Sequence, residues 1–380
     1  MPSSSTPKTH SGPEIQEIDA LFQAAGLVRN LRGKAGAPSD RPSSLGWKAG
    51  VPSGGSSSLG WKSTDVRGRT RLERAEPEEL RQAAPVPRVA ANGVQWLPVP
   101  GWEKVGWLWH GFSTRRGGVS RAYCPEDAPG ELNLGFTADD QRENVARNRR
   151  LLAEAVTGDL ATPLVTIRQI HSTVLVVAGA ADSARERPRK ADGIMTDEPG
   201  LLLGIQTADC IPVLVADRKR RAVAAFHAGW RGTVKRIVET GVGRMRLEFG
   251  SQPEDLMAAI GPGIGVCCYA VGEEVLSEFE SQFAYARQLF REVSDSDPVR
   301  TKYPMLFLTQ RAPGHSSIGP SLHLDLVEAN RRQLLAVGLK PRSIKVVGGC
   351  TSCQPELFFS HRASQGRAGR MLSVIGIRPR

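Results

Sequence analysis

Three residues able to do chemistry stand at the ends of apolar runs. His171 closes VTIRQIH, Cys210 opens CIPVLVA, and His227 closes AVAAFH just before the tight AGWRG turn. One thiolate and two imidazoles are good ligands for zinc or copper. Three protein ligands leave a fourth position for water or substrate, as in a catalytic zinc site rather than a closed structural one. The separations along the chain are long, so spacing alone does not make a zinc motif; Cys210 reads as a metal ligand, with a buried structural thiol as the alternative. Asp209, beside it in TADC, has three readings: orienting a ligand histidine, accepting a proton, or making a turn by bonding nearby backbone. A cysteine hydrolase, with Cys210 as nucleophile and His227 or His171 as base, is the metal-free alternative.

The remaining motifs say less. CTSC (Cys350–Cys353) is a C-x-x-C that could hold half a metal site or act in redox chemistry, but no second C-x-x-C accompanies it, and packing thiols are the simpler reading. GPGIG (Gly261–Gly265) lacks the GxGxxG pattern and a following helix, although its amides could still approach a substrate. His110, His315 and His361 read as ordinary surface or core histidines. Asp325 reads as the N-cap of a helix.

Strands and helices must position these groups. Apolar runs predict strands at Leu164–Ile170, Val174–Val177, Leu201–Gln206, Ile211–Ala216, Ala222–Phe226, Leu256–Ile260, Ile344–Val347 and Leu372–Ile377. An earlier strand in GWLWHGFSTRRGG ends in a basic, Gly-rich turn. Amphipathic spacing predicts helices over Ala138–Val156, Gly232–Phe249, Gly272–Phe283 and Leu324–Val337. Mixed elements with short connections indicate an α+β or α/β fold. Residues 1–92 form an expected disordered, low-complexity extension. It repeats SSLGWK at Ser43–Lys48 and Ser57–Lys62 around Gly, Ser and Pro, a composition too poor in apolar groups to offset chain entropy. A short helix around Ile15–Ala25 and a loop over Asp297–Pro320 complete the expectation, with one folded domain over residues 93–380.

The chain has 380 residues, 40% of them hydrophobic, and a formal net charge of +11. The positive excess lies mostly at the end, where residues 331–380 carry 10 Lys/Arg against one Glu. Basic and aromatic residues are not interleaved as nucleic-acid binding requires, so no nucleic-acid partner is expected. No run of 18 or more apolar residues predicts a membrane span, and no apolar segment behind a basic start predicts a secretory signal. Six thinly spread cysteines suit reduced thiols and a cytoplasmic setting. Oligomeric state is left open.

HGFSTRRGGVS, LNLGFTADD, RQIHS, ADGIMTDEPGLLLGIQTADCIPVLVAD, AAFHAGWRGT, AAIGPGIGVCCYAVGEEV and ELFFSHR occur in that order. From about Trp107 onward the chain closely resembles the YfiH-like family, described variously as polyphenol oxidase (laccase domain), purine nucleoside phosphorylase and peptidoglycan editing factor. The resemblance implies an α+β fold in α/β/β/α layers and a zinc held by His171, Cys210 and His227. It implies phosphorolysis of adenosine, inosine and methylthioadenosine, with adenosine deamination, so a purine nucleoside and phosphate would be the partners. It places Arg115, Asn133 and Arg362 near the pocket, and Arg231 joins them as a candidate for phosphate or ribose, because Arg binds phosphate bidentately. The long Arg121–Glu131 linker is a departure that could alter the pocket rim. A copper polyphenol oxidoreductase is one alternative, although seven histidines without a His-x-His pair cannot supply four-copper chemistry. A cysteine amidohydrolase acting on cell-wall precursors is another. A non-enzymatic interaction protein is the third.

Overall fold

Strands β10 (Ile211–Asp217) and β11 (Val223–Ala228) are buried at every position. That is why they read as near-continuous apolar runs, interrupted by His227 and ended by Asp217, rather than alternating ones. The computed structural model describes residues 72–294 and 320–379. In it, β10 and β11 form the antiparallel centre of a six-stranded sheet. Its order is β16 (Ile344–Val346), β12 (Leu256–Ile260), β10, β11, β8 (Gly193–Thr196), β7 (Leu175–Val177). A second six-stranded sheet runs β2 (Arg88–Val89), β3 (Gln95–Leu97), β4 (Leu108–Ser113), β17 (Met371–Ile377), β9 (Leu202–Thr207), β6 (Leu164–Thr166).

The two sheets face each other. Leu203, Ile205, Phe112 and Ile375 of the second interdigitate with Leu214, Ala216, Val223 and Ala225 of the first. Helices α3 (Ile237–Phe249) and α5 (Leu326–Ala336) cover the outer face of the first sheet, where Ile237, Val242, Met245 and Leu334 meet Val213, Val215 and Phe226. Helix α1 (Arg142–Thr157) covers the second, with Leu152 and Ala153 against Trp109, Leu202 and Val374. This is the expected α+β fold in α/β/β/α layers. Asp325 caps α5, its side chain accepting from Glu328 N–H. A small third sheet, β1 (Glu73–Ala75), β14 (Phe290–Val293), β15 (Ser321–Leu324), β13 (Ala270–Val271), was not foreseen. Among the described residues no helix is long and apolar enough to cross a membrane.

Three expectations change. The strand expected over Leu164–Ile170 stops at Thr166, because the amides of residues 170–172 turn aside to a buried carboxylate described below. The helix expected over Gly232–Phe249 is two helices, α2 (Trp230–Val234) and α3, separated by Arg236 at φ 62°. That side chain is tied to Glu239 and stacks 4.4 Å over Phe283. Order also starts before the expected boundary at residue 92. β1 pairs with β14, β2 pairs with β3, and Gln82 bonds both Gly349 N–H and the Gln354 amide. The SSLGWK repeats, the helix expected near Ile15–Ala25 and the loop expected over Asp297–Pro320, apart from Pro320, lie outside the described residues.

Candidate metal centre and its cleft

The chain passes between the two large sheets from β6 to β7 and again from β9 to β10. Each passage carries a candidate ligand: His171 on the first, Cys210 on the second. His227 stands in β11 opposite Pro212 of β10, so sheet register alone brings it beside Cys210. The ligand atoms of His171, Cys210 and His227 all lie within 4.8 Å of one another. Cys210 Sγ is 4.0 Å from His171 Nε2, and the two imidazole centroids are 5.0 Å apart.

Both passages bend through left-handed backbone, His171 at φ 56° and Asp209 at φ 90°. Such conformations cost energy and persist where surrounding contacts over-determine them. Two carboxylates supply those contacts. Asp192, fully buried at the start of β8, accepts from the N–H groups of Ile170, His171 and Ser172 and from the Ser172 hydroxyl. The same group pairs with His227 Nδ1 at 2.9 Å. It therefore fixes one ligand's backbone and the other's ring, leaving His227 Nε2 for a metal. Asp209 works on the opposite wall. Its oxygens accept from Thr351 Oγ1 (2.7 Å) and Arg362 N–H (2.6 Å), and its carbonyl accepts from Ile264 N–H. Asp192 thus orients the His227 ring, and Asp209 ties loops together.

The electrostatics follow. Burial pushes the Asp192 carboxyl up, but hydrogen bonds from His227 and Ser172 prevail and hold it at about 2. Burial opposes charge on His227 too. The Cys210 thiolate and the Asp192 hydrogen bond outweigh it and raise the imidazole to about 9. Cys210 comes down to about 6, burial again being overcome, here by the charge of His227 and hydrogen bonds from both histidines. Each group thus favours the charged form of the other, and a metal would displace a proton on His227. The donor set fits zinc. A side chain on Gly229 would put Cβ 2.9 Å from Cys210 Sγ, so glycine at 229 leaves the sulfur uncrowded beside the chain beyond β11.

His171, Cys210 and His227 line a cleft of about 530 Å³ together with Arg168, Tyr269, His361, Arg362 and Arg370. Of the residues named from sequence, Arg362 lines it, its Nη1 donating to Ala270 O and its guanidinium 5.3 Å over Tyr269. Arg115 does not. It pairs with Glu131 at 2.6 Å, stacks on Phe359, and borders a separate pocket with Arg121 and Tyr123. Asn133 is buried behind the cleft, where its Oδ1 accepts from the N–H of Arg370 and its amide donates to Asp140. Arg231 is exposed and stacks 4.4 Å over Trp230, outside the lining. Asp192, Arg168, Tyr269 and Arg370 are the additions. Asp192 stands in the quoted ADGIM motif and Arg168 three residues before His171, but only the fold shows what they face.

A family model described as multi-copper polyphenol oxidoreductase laccase matches residues 109–378. The chain belongs to that family. Within this laccase family it is similar to a purine nucleoside phosphorylase of Bacteroides thetaiotaomicron, 36% identical over 274 residues, covering 70% of this chain and 91% of that one. It is also similar to the purine nucleoside phosphorylase YlmD of Geobacillus stearothermophilus, 36% identical over 278 residues, with 70% and 89% covered. Among solved structures, the Bacillus licheniformis hypothetical protein YfiH superimposes with a TM-score of 0.62 at 30% identity, covering 77% of this chain and 99% of that one. The laccase-family resemblance read from the sequence motifs, YfiH-like in its fold, is therefore correct.

Proposed function

We propose that this chain is a zinc-dependent purine nucleoside phosphorylase acting on adenosine, inosine and S-methyl-5′-thioadenosine, with adenosine deaminase activity in the same cleft. The observation that carries this reading is the lining of the cleft. His171, Cys210 and His227 share it with Arg168, Arg362 and Arg370, while the carboxylate of Asp209 is already engaged by two hydrogen bonds. A site rich in guanidinium groups suits phosphate, and the purine nucleoside phosphorylases to which the chain is similar point to the same class. Zinc held by the three ligands would supply Lewis-acid polarisation of a substrate oxygen or of water. Copper fits the same donors, but a four-copper centre does not. Of the described histidines only His171 and His227 converge, whereas His110 is buried beside Trp102 and His323 bonds Val266 O.

In phosphorolysis a phosphate oxygen bonds to ribose C1′ as the bond from C1′ to the purine nitrogen breaks, and the base leaves with a proton. Arg168 and Arg370 hold the phosphate. Tyr269, backed by Arg362, offers a ring for the purine to lie against, and Asp209 keeps the Arg362 backbone in place. We assign the activity to residues 93–380 and, with all six cysteines unpaired, to the cytoplasm.

The test uses protein of measured zinc content, incubated with adenosine with and without phosphate. Adenine formed only with phosphate supports phosphorolysis, and inosine formed without it supports deamination. Cys210→Ala is expected to lose metal and both activities together. No turnover from zinc-loaded protein in either condition overturns the reading in favour of the cysteine hydrolase, whose mark is fast, chelator-insensitive alkylation of Cys210.

A further inference from the structure

A second group of ligands lies beyond the wall of the cleft. Cys267 and Cys268 follow β12, Cys350 and Cys353 follow β16, and their four sulfur atoms all lie within 4.8 Å of one another. We propose that these four cysteines form a closed, mononuclear tetrathiolate site for zinc, separate from the Cys/His/His centre.

The geometry carries this. With Zn–S bonds of about 2.3 Å, the sulfurs of a tetrahedral site stand about 3.8 Å apart. Cys267 Sγ and Cys353 Sγ are 3.9 Å apart, with no disulfide between them. Sulfurs bound to different irons of a cluster would stand farther apart than this group allows, and four sulfurs around one point suit zinc. Local backbone explains the convergence. Adjacent cysteines in a strand would point to opposite faces. Here residues 266–268 form a turn, with Cys268 N–H and Tyr269 N–H both donating to Gly265 O, so both thiols face one way. The C-x-x-C side is also a turn, closed by Gln354 N–H to Cys350 O. Gly265 N–H donates to Cys350 Sγ at 3.2 Å, a bond that favours a thiolate. Cys267 and Cys350 are buried, with Leu80 and Ile264 packed around the group.

Four protein sulfurs leave no position for substrate, so the role is structural. The two cysteine loops are already joined by Thr351 N–H to Gly263 O. They also carry Thr351 and Ile264, which hold Asp209, and Tyr269, which lines the cleft. Zinc here would brace the wall that keeps Asp209 bent.

The test counts metal in the full-length protein purified under reducing conditions. Wild type is expected to hold about two zinc ions per chain and His171→Ala about one, as one ion per site requires. Cys350→Ser/Cys353→Ser is expected to hold about one, kept at the Cys/His/His centre. Cobalt-substituted protein should show tetrathiolate absorption in the visible that His171→Ala keeps and the double variant loses. Should the double variant fail to fold, Cys353→His gives the second measurement. Imidazole can replace a thiolate ligand, so metal should persist in Cys353→His and vanish in Cys353→Ala. Equal metal content in wild type and the double variant, iron in place of zinc, or disulfides among these cysteines in the native protein would each overturn the proposal. None of these outcomes depends on whether the cleft cleaves nucleosides.

Discussion

A single carboxylate does much of the organising at the residue scale. Asp192 holds the turn that carries His171 and the ring of His227, so its effect reaches a metal through two ligands. Asp192→Asn removes the charge and one acceptor while keeping the shape. It is expected to weaken zinc binding about 10- to 100-fold, measured by competition with a chromophoric chelator, and unchanged affinity would sink the assignment. Loss of a charge-assisted hydrogen bond costs about 1.5–3 kcal/mol. Arg168→Ala and Arg370→Ala are therefore each expected to raise the KM for phosphate about tenfold or more, with zinc content unchanged; a rise in the nucleoside KM alone would assign them elsewhere. The sequence shows ligand types plainly, because Cys and His beside apolar runs have few other uses. It hides Asp192, whose partners lie 20 to 35 residues away along the chain. It also misdirects on Arg115 and Asn133. Their side chains turn to Glu131 and Asp140, and neither residue lines the cleft.

At the scale of elements, the packing of β11 on its neighbours decides where His227 stands. Phe226, one residue before it, lies opposite Gly193 of β8 and beneath Gly241 of α3. A Cβ at Gly241 would come within 2.3 Å of the ring, so both glycines exist to admit it. Phe226→Ala is expected to cost about 3–5 kcal/mol, read from urea unfolding, and to lower metal retention by loosening β11. A loss below about 1 kcal/mol would mean that the glycines close the gap. Long buried strands such as β9, β10 and β17 are legible because apolar residues dominate them. Strand β13 and its partners β14 and β15 are not. They span only two to four residues each and pair across long separations, so no local period marks them.

For the whole molecule, acid is a sensitive probe. Burial holds His110 neutral down to about 4, while the unfolded chain titrates it near 6.5. The unfolded state therefore takes the proton first. The stability this residue contributes is complete above pH 6.5 and drains away as the pH falls to about 4. The loss approaches about 3 kcal/mol. Urea midpoints between pH 7 and 4 should fall more steeply for wild type than for His110→Gln, and parallel slopes would refute the point. Layer order was legible from the motif series, whereas the fold of residues 72–92 onto β3, β14 and the Gly349 loop was not, since β1 and β2 span only three and two residues and leave no period to read. The place of β17 has a consequence for biosynthesis. Of the described strands it leaves the ribosome last, yet it lies between β4 and β9 in the middle of its sheet. Until it emerges, two long strands present unpaired edges and the slot for Val374 and Ile375 stays open. Such edges are where nascent chains associate wrongly. This chain must finish folding after translation has passed residue 377, and during that interval it is a natural client for chaperones.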